Sequence, residues 1–191
     1  MTENARSEHD VWKGMAAGVA GGLVASLVMN QFQALWHKLA EGEERSHGAQ
    51  SRQRGSPERG IGAGLKAQGK DDPDDDAAER LANAISVEVF DRELTKSEKE
   101  VQGVAFHYAM GITSGALYGA VAEIIPESTV GLGLGFGTAV WILADEGIVP
   151  AIGLSKAPTE YPLSIHAYAF SSHLVYGLTT EVVRRAVRSV L

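Results

Sequence analysis

The chain has 191 residues, room for one domain, with 24 acidic against 17 basic side chains, a net charge of −7 and no cysteine. That balance, without a basic patch interleaved with aromatics, argues against a nucleic-acid partner, and the lack of cysteine excludes disulfides and thiolate chemistry. Mean hydropathy is −0.05, as in a soluble protein, yet the charge is concentrated in residues 1–13 and 37–100 and sparse from 101 to 183, whereas a soluble bundle gives every helix a wet face.

Residues 1–13 read as a polar N-terminal tail containing Glu3, Glu8 and Asp10. From Gly14 to Trp36 there is no charged residue, and a spanning helix needs about 20 residues. A signal peptide would show a shorter apolar core behind a basic start, so 14–36 is expected to be an uncleaved transmembrane helix. Residues 37–100 are a long polar loop. Within it, Glu41–Asp76 offers too few apolar residues to offset the entropy of ordering and reads as flexible. Near 76–90, Leu81, Ile85 and Val89 recur at four-residue spacing, the mark of a short amphipathic helix that lies on the membrane surface or caps the bundle.

Ser97 to Glu100 is an S-x-x-E capping box and predicts the start of helix two. That helix spans 101–125 and stops at Pro126, with His107 inside it but no Asp, Glu, Lys or Arg from Val101 to Ala122. Helix three, 129–151, carries a glycine-rich stretch ahead of Asp145 and Glu146, and helix four, 163–183, follows Pro162 and leads into a basic tail at 184–191. The expected fold is all-α: a polytopic membrane protein of four transmembrane helices arranged as two tandem helical hairpins. A soluble bundle with a disordered insert is the competing reading, since the two His and one Glu of helix four are expensive in lipid. Helix two would then lack any solvated face.

Helices two and four resemble each other. Tyr118-Gly119-x-x-x-Glu123 matches Tyr176-Gly177-x-x-x-Glu181, with Ser114 matching Ser172 upstream. Helix one carries Gly14, Gly18 and Gly22 at four-residue spacing, and helix three carries Gly131, Gly133, Gly135 and Gly137. Gly18, Gly22, Gly111, Gly115, Gly119 and Gly177 are expected at helix–helix interfaces, where small residues let backbones approach. Together these predict an internal duplication with both copies crossing in the same sense. Arg6, Lys13, Arg184, Arg185 and Arg188 flank the two ends of the chain, against Lys156 alone in the short connection. The positive-inside rule then places both ends in the cytoplasm.

His107-Tyr108-x-x-Gly111-x-x-x-Gly115-x-x-Tyr118-x-x-x-x-Glu123, then Glu146, Pro150 and Gly153-Leu154, then His173-x-x-x-Gly177-x-x-x-Glu181-x-x-Arg184-Arg185 resembles the YagU-like family of bacterial inner-membrane proteins, a domain of unknown function. The resemblance covers about residues 11–190 and is most specific over 103–185. It implies a multi-pass protein of the bacterial plasma membrane and brings no catalytic residues with it.

Chemistry is expected at ionisable residues within the spans, which mark sites or pathways: His107, Glu123, Asp145, Glu146, His166, His173 and Glu181. His107, Asp145, Glu146 and His166 are expected in one layer on the outer side. His173, Gly177 and Glu181, spaced by four, line one face of helix four. Glu123 and Glu181 are expected side by side near the cytoplasmic ends, sharing a proton because two close carboxylates in a dry site do not both ionise cheaply. A column of His and Glu suits proton or small-ion handling without enzymatic activity. The plainer readings are headgroup anchors for His107 and His166, a helix end at Asp145-Glu146, and ion pairing of Glu181 with Arg184 or Arg185. A metal-dependent membrane enzyme using His107, Glu146, His166 and His173 is the alternative, though these residues have neither H-E-x-x-H nor E-x-x-H spacing among them. A third is a structural protein that recruits a partner through the long loop. No cofactor is expected. The partner is the lipid bilayer, and a homo-oligomer is allowed.

Overall fold

A computed structural model describes residues 3–40 and 57–191, and among them there are helices and turns but no strand. In chain order these are α1 (Glu3–Ala40), α2 (Gly60–Ala67), α3 (Ala77–Phe90), α4 (Lys96–Ile124), a 3₁₀ turn (Pro126–Thr129), α5 (Leu134–Val140), a π-helix (Trp141–Ile148), α6 (Val149–Ala151), a second 3₁₀ turn (Pro158–Glu160) and α7 (Leu163–Arg188). The chain clusters into two compact units. One comprises Met1–Trp36, Tyr108–Val140 and Phe170–Leu191, and the other His37–His107 and Trp141–Ala169.

Several expectations are corrected. α1 begins at Glu3, so the polar residues ahead of Gly14 are helical rather than a separate tail. Likewise α7 continues through Arg188, because three arginines in its last turns complement the carbonyl end of the helix dipole. Of the supposed flexible loop, residues 41–56 lie outside the described residues, but Gly60–Ala67 is a helix with Leu65 buried. Helix three is not one regular span from 129. A stretch with positive φ at Gly131, Leu132 and Gly133 delays its start to Leu134, and the π-helix interrupts it. Of the four helices expected to span, two among the described residues are long and apolar enough to cross a membrane by length and composition: Asp10–Trp36, with mean hydropathy 1.5, and Leu134–Ala151, with 1.2. In α4 and α7, His, Ser, Thr, Tyr and Gly dilute the aliphatic content.

In the first unit, the inward residues of α1 are small: Gly14, Ala17, Gly18, Gly21, Gly22, Ala25 and Ser26 are buried. Val19, Leu23, Val24, Leu27 and Val28 point outward and are exposed. This inverts the order expected of a helix in water, where burying each large aliphatic side chain contributes about 1.5–3 kcal/mol. On α4, Leu117, Val121 and Ile124 are likewise exposed while Tyr118 and Ala122 are buried. The buried side chains Ala25, Met29 and Tyr176 form a small core with Phe136 and Val140 packed against it.

The second unit is held by polar anchoring. Asp76 caps α3 by accepting from the Ala78 and Glu79 N–H groups (2.8 and 2.9 Å), and Glu79 accepts from the Asp76 N–H (2.7 Å). This capping box fixes the helix that the apolar spacing predicted. Its orientation is the reverse of the usual one. The buried residues are Ala77, Arg80, Asn83 and Ser86, while Ile85, Val89 and Phe90 are exposed. Lys99 and Asp75 form a buried ion pair at 2.7 Å. Backbone bonds from Ile61 and Gly62 N–H to the carbonyls of Ile152 and Gly153 (3.0 and 2.8 Å) tie the start of α2 to the end of α6.

The capping box of α4 is Thr95 to Glu98, two residues ahead of the expected Ser97–Glu100. The Thr95 N–H donates to Glu98 (2.9 Å), and the Glu98 N–H donates to Thr95 Oγ1 (3.4 Å). Arg92 selects this register by donating two hydrogen bonds to Glu98 (3.0 and 2.9 Å). Arg92, followed by the Thr95 amide and hydroxyl, holds the Glu98 carboxyl down from 4.5 to about 2. A depressed folded-state pKa stabilises above the unfolded value and ceases to do so as pH falls through the folded one. The start of α4 is therefore expected to fray between about pH 4.5 and 2. Glu98→Gln, which keeps the cap but does not titrate, should abolish that pH dependence in helix content. An unchanged acid profile in the variant would count against this role.

Candidate functional site

Two polar clusters stand out, one in each unit. In the first unit, Glu181 is fully buried (0% exposed). Arg184 donates to it at 2.7 and 3.0 Å, and Arg185 donates to the same carboxylate. Glu123 accepts from Arg188 (2.8 and 3.2 Å), and Arg184 comes within 3.8 Å of it. Arg188 also reaches Asp10 of α1 at 3.2 Å. The spacing i, i+3, i+4 puts Arg184 and Arg185 over Glu181 on one helix face, and the next turn puts Arg188 over Glu123 of α4. Three arginines thus meet three carboxylates. Glu123 and Glu181 both belong to this cluster, but Arg184 lies against each of them. The two carboxylates expected side by side thus each have arginine partners, and the Arg184 guanidinium stands between them.

Beneath the cluster the Tyr118 ring stacks on Phe136 with centroids 4.3 Å apart, and Phe136 meets Tyr176 at 5.7 Å. The Arg184 guanidinium lies 5.9 Å over Tyr118, within cation–π range. The Tyr176 hydroxyl donates to the Gly111 carbonyl at 2.6 Å, and the Asn30 amide donates to the Tyr108 hydroxyl at 2.9 Å.

The glycines expected at interfaces line two seams. Between α1 and α4, a Cβ on Gly18 would strike the Gly115 carbonyl and Gly119 Cα, one on Gly22 the Gly111 carbonyl and Gly115 Cα, and one on Gly14 the Gly119 carbonyl and the Glu123 side chain. Between the α5 end and α7, a Cβ on Gly133 would strike the Gly177 carbonyl and Glu181 Cβ, and one on Gly137 the His173 carbonyl and Gly177 Cα. Gly133 also has φ of +83°, so it meets both a conformational and a steric demand. Of the two overlapping glycine pairs on helix three, Gly133/Gly137 is at the seam. A Cβ at Gly131 or Gly135 would meet open space.

In the second unit, the His166 Nδ1 lies 2.9 Å from Glu146 Oε1, and its Nε2 lies 3.0 Å from the Pro158 carbonyl oxygen. The side chains are 20% and 18% exposed. Glu146 stands on the π-helix, a rare geometry that recurs at functional sites. A neutral imidazole carries one N–H. Facing an acceptor on each ring nitrogen, His166 completes both hydrogen bonds when the pair holds one proton beyond neutral imidazole plus carboxylate.

The other expected positions are more dispersed. Asp145 and His107 are half-buried in the second unit, and His173 is buried on α7 in the first. Of His107, Asp145, Glu146 and His166, expected in one layer, the hydrogen bond joins Glu146 and His166. Among the described residues, no three His, Asp or Glu side chains form a group that could hold a metal ion, so the proposed ligand set His107, Glu146, His166 and His173 is not assembled. Reading the sequence missed Asp10, Arg188 and the buried Arg80. Arg188 could have been found by its four-residue step from Arg184, whereas Arg80 and Asp71 are hidden in a run of charge.

No curated protein and no solved structure matches the chain. Residues 66–182, more than half of the sequence, match the DUF1440 family of proteins of unknown function, and the protein belongs to that family.

Proposed function

We propose that this protein is an integral membrane protein whose four long helical segments all cross the bilayer, and that it takes up and releases protons at the His166–Glu146 pair. The supporting observation for the membrane is the inverted order of α1, with glycine and alanine inward and valine and leucine outward. Trp12 and Trp36 are both exposed and stand about 36 Å apart along the helix, close to the span between two headgroup layers. α4 has 29 residues and α7 has 26, about 43 and 39 Å, enough for a hydrocarbon core of about 30 Å. The two seams correspond residue by residue. Gly14 and Gly18 against Gly119 and Gly115 parallel Gly133 and Gly137 against Gly177 and His173, and Glu123 and Glu181 close the respective ends. This supports a tandem duplication of one hairpin. A bacterial plasma membrane with both ends of the chain cytoplasmic fits the charge bias at those ends.

The proton reading rests on His166, whose two ring nitrogens both face acceptors. With a carboxylate at one ring nitrogen and a carbonyl at the other, gain or loss of one proton by the pair changes how many of these two hydrogen bonds are made. The test is proton flux in vesicles containing the purified protein and a trapped pH-sensitive dye. The native protein should dissipate an imposed pH gradient, and His166→Gln or Glu146→Gln should lower the rate at least tenfold without loss of folded protein. Orientation in the same vesicles is read from single cysteines, with Glu93→Cys and Ser189→Cys labelled from opposite sides. Flux equal to that of empty vesicles, or unchanged in both variants, would refute the proton reading. Same-side labelling of the two cysteines would refute the topology.

A further inference from the structure

α3 is built with its polar side inward. Arg80, with no exposed surface, donates to Asp71 at 2.8 Å, to the Leu154 carbonyl at 3.2 Å and to the Asp72 carbonyl at 3.3 Å. Asn83 donates to the Lys70 carbonyl at 2.9 Å and accepts from the Leu94 N–H at 3.0 Å. Ser86 donates to the Arg92 carbonyl at 2.7 Å. Residues 80, 83 and 86 form one stripe, and Leu81, Ile85 and Val89 form another about 180° around the helix. Ile85 is 48%, Val89 64% and Phe90 72% exposed. Rolling the helix to hide these side chains would strip partners from Arg80 and Asn83, and a buried charge left without its partner costs several kcal/mol. The apolar face is therefore fixed outward.

Building on the membrane reading above, we propose that this outward face of α3 is inserted into the lipid interface, so that Ala77–Phe90 lies along the bilayer surface. The adjoining surface of the same unit supports lipid as the occupant. The start of α4 packs against α3 at Gly103 and Glu79, and there Val101 and Val104 are exposed as well, with no Asp, Glu, Lys or Arg from Val101 to His107. Interfacial helices ordinarily combine an apolar face with a basic face that attracts anionic lipid. Here the opposite face is occupied by protein, and the exposed ionisable residues nearby include Glu88, Asp91 and Glu93. Insertion therefore depends on apolar burial and not on anionic headgroups.

The experiment uses the full chain in nanodiscs of zwitterionic lipid, with an environment-sensitive fluorophore on Ile85→Cys, Val89→Cys or Glu93→Cys. At 85 and 89 the emission should shift to the blue, lose intensity to lipids carrying a nitroxide on the upper acyl chain, and resist aqueous iodide. At 93 the emission should stay water-like and iodide should quench it. Adding anionic lipid should leave the result at 85 unchanged. Iodide quenching at 85 and 89 equal to that at 93 would overturn the proposal. A blue shift without nitroxide quenching that vanishes at one chain per disc would overturn it in favour of a second copy. Alkaline extraction of native membranes separates the two levels: protein released into the supernatant refutes the membrane reading itself, whereas retained protein with a water-exposed Ile85 label refutes only the inserted face.

Discussion

Replacing Glu181 with alanine is expected to destabilise the first unit by about 3–5 kcal/mol, because it removes both carboxylate hydrogen bonds of the buried Arg184 and leaves it the more distant Glu123 at 3.8 Å. Arg184 is 7% exposed and makes two bonds to that carboxylate, so it has little water to turn to. Arg185 is half-exposed and can rehydrate. The loss should therefore be largely recovered when Arg184 is replaced together with Glu181 by apolar residues of similar volume, such as Glu181→Met with Arg184→Met, since a buried pair is worth little relative to good packing. Unfolding in detergent, followed by helix content against denaturant, gives both numbers. A single-variant loss below about 0.5 kcal/mol, the level of an ordinary surface change, would mean that water reaches the cluster.

The second large effect is expected at the seams. Gly18→Leu and Gly137→Leu each place a side chain on a facing backbone carbonyl, which no rotamer change can relieve. Overpacking a core ordinarily costs about 1–3 kcal/mol, and here whole helices must separate, so both variants should lose the folded unit. Gly135→Ala is the matched control. Nothing lies within 4 Å of its added Cβ, and glycine to alanine in a helix gains about 0.5–1 kcal/mol. Equal behaviour of the three variants would show that the seams do not hold the unit together.

Periodicity in a sequence exposes some features of a fold and leaves others unmarked. The four long helical stretches and the glycine spacing were legible, because each repeats every three to four residues over several turns. The α3 apolar stripe was legible too, but its direction was not. Leu81, Ile85 and Val89 show that one face is apolar, whereas Arg80 pairing with Asp71 decides which face is buried, and that pairing depends on a turn nine residues upstream. The π-helix was illegible, since one extra residue per turn leaves no mark in composition. The capping box slipped by two residues because Ser97 and Thr95 are both acceptable caps, and the more distant Arg92 arbitrates. At the candidate sites, the ionisable residues could be named from their apolar surroundings. The pairing of His166 with Glu146, and the arginines interposed between Glu123 and Glu181, come from helix packing.

The glycine seams also bear on temperature. Heat capacity of unfolding follows the apolar area newly hydrated, and glycine contributes almost none. Parting α1 from α4 along Gly14, Gly18 and Gly22, or α5 from α7 along Gly133 and Gly137, therefore involves a small heat-capacity change. The contact is carried by close van der Waals approach, which cooling does not weaken as it weakens water-driven burial. The free energy of holding these helices together is accordingly a shallow function of temperature, and chilling leaves both seams closed.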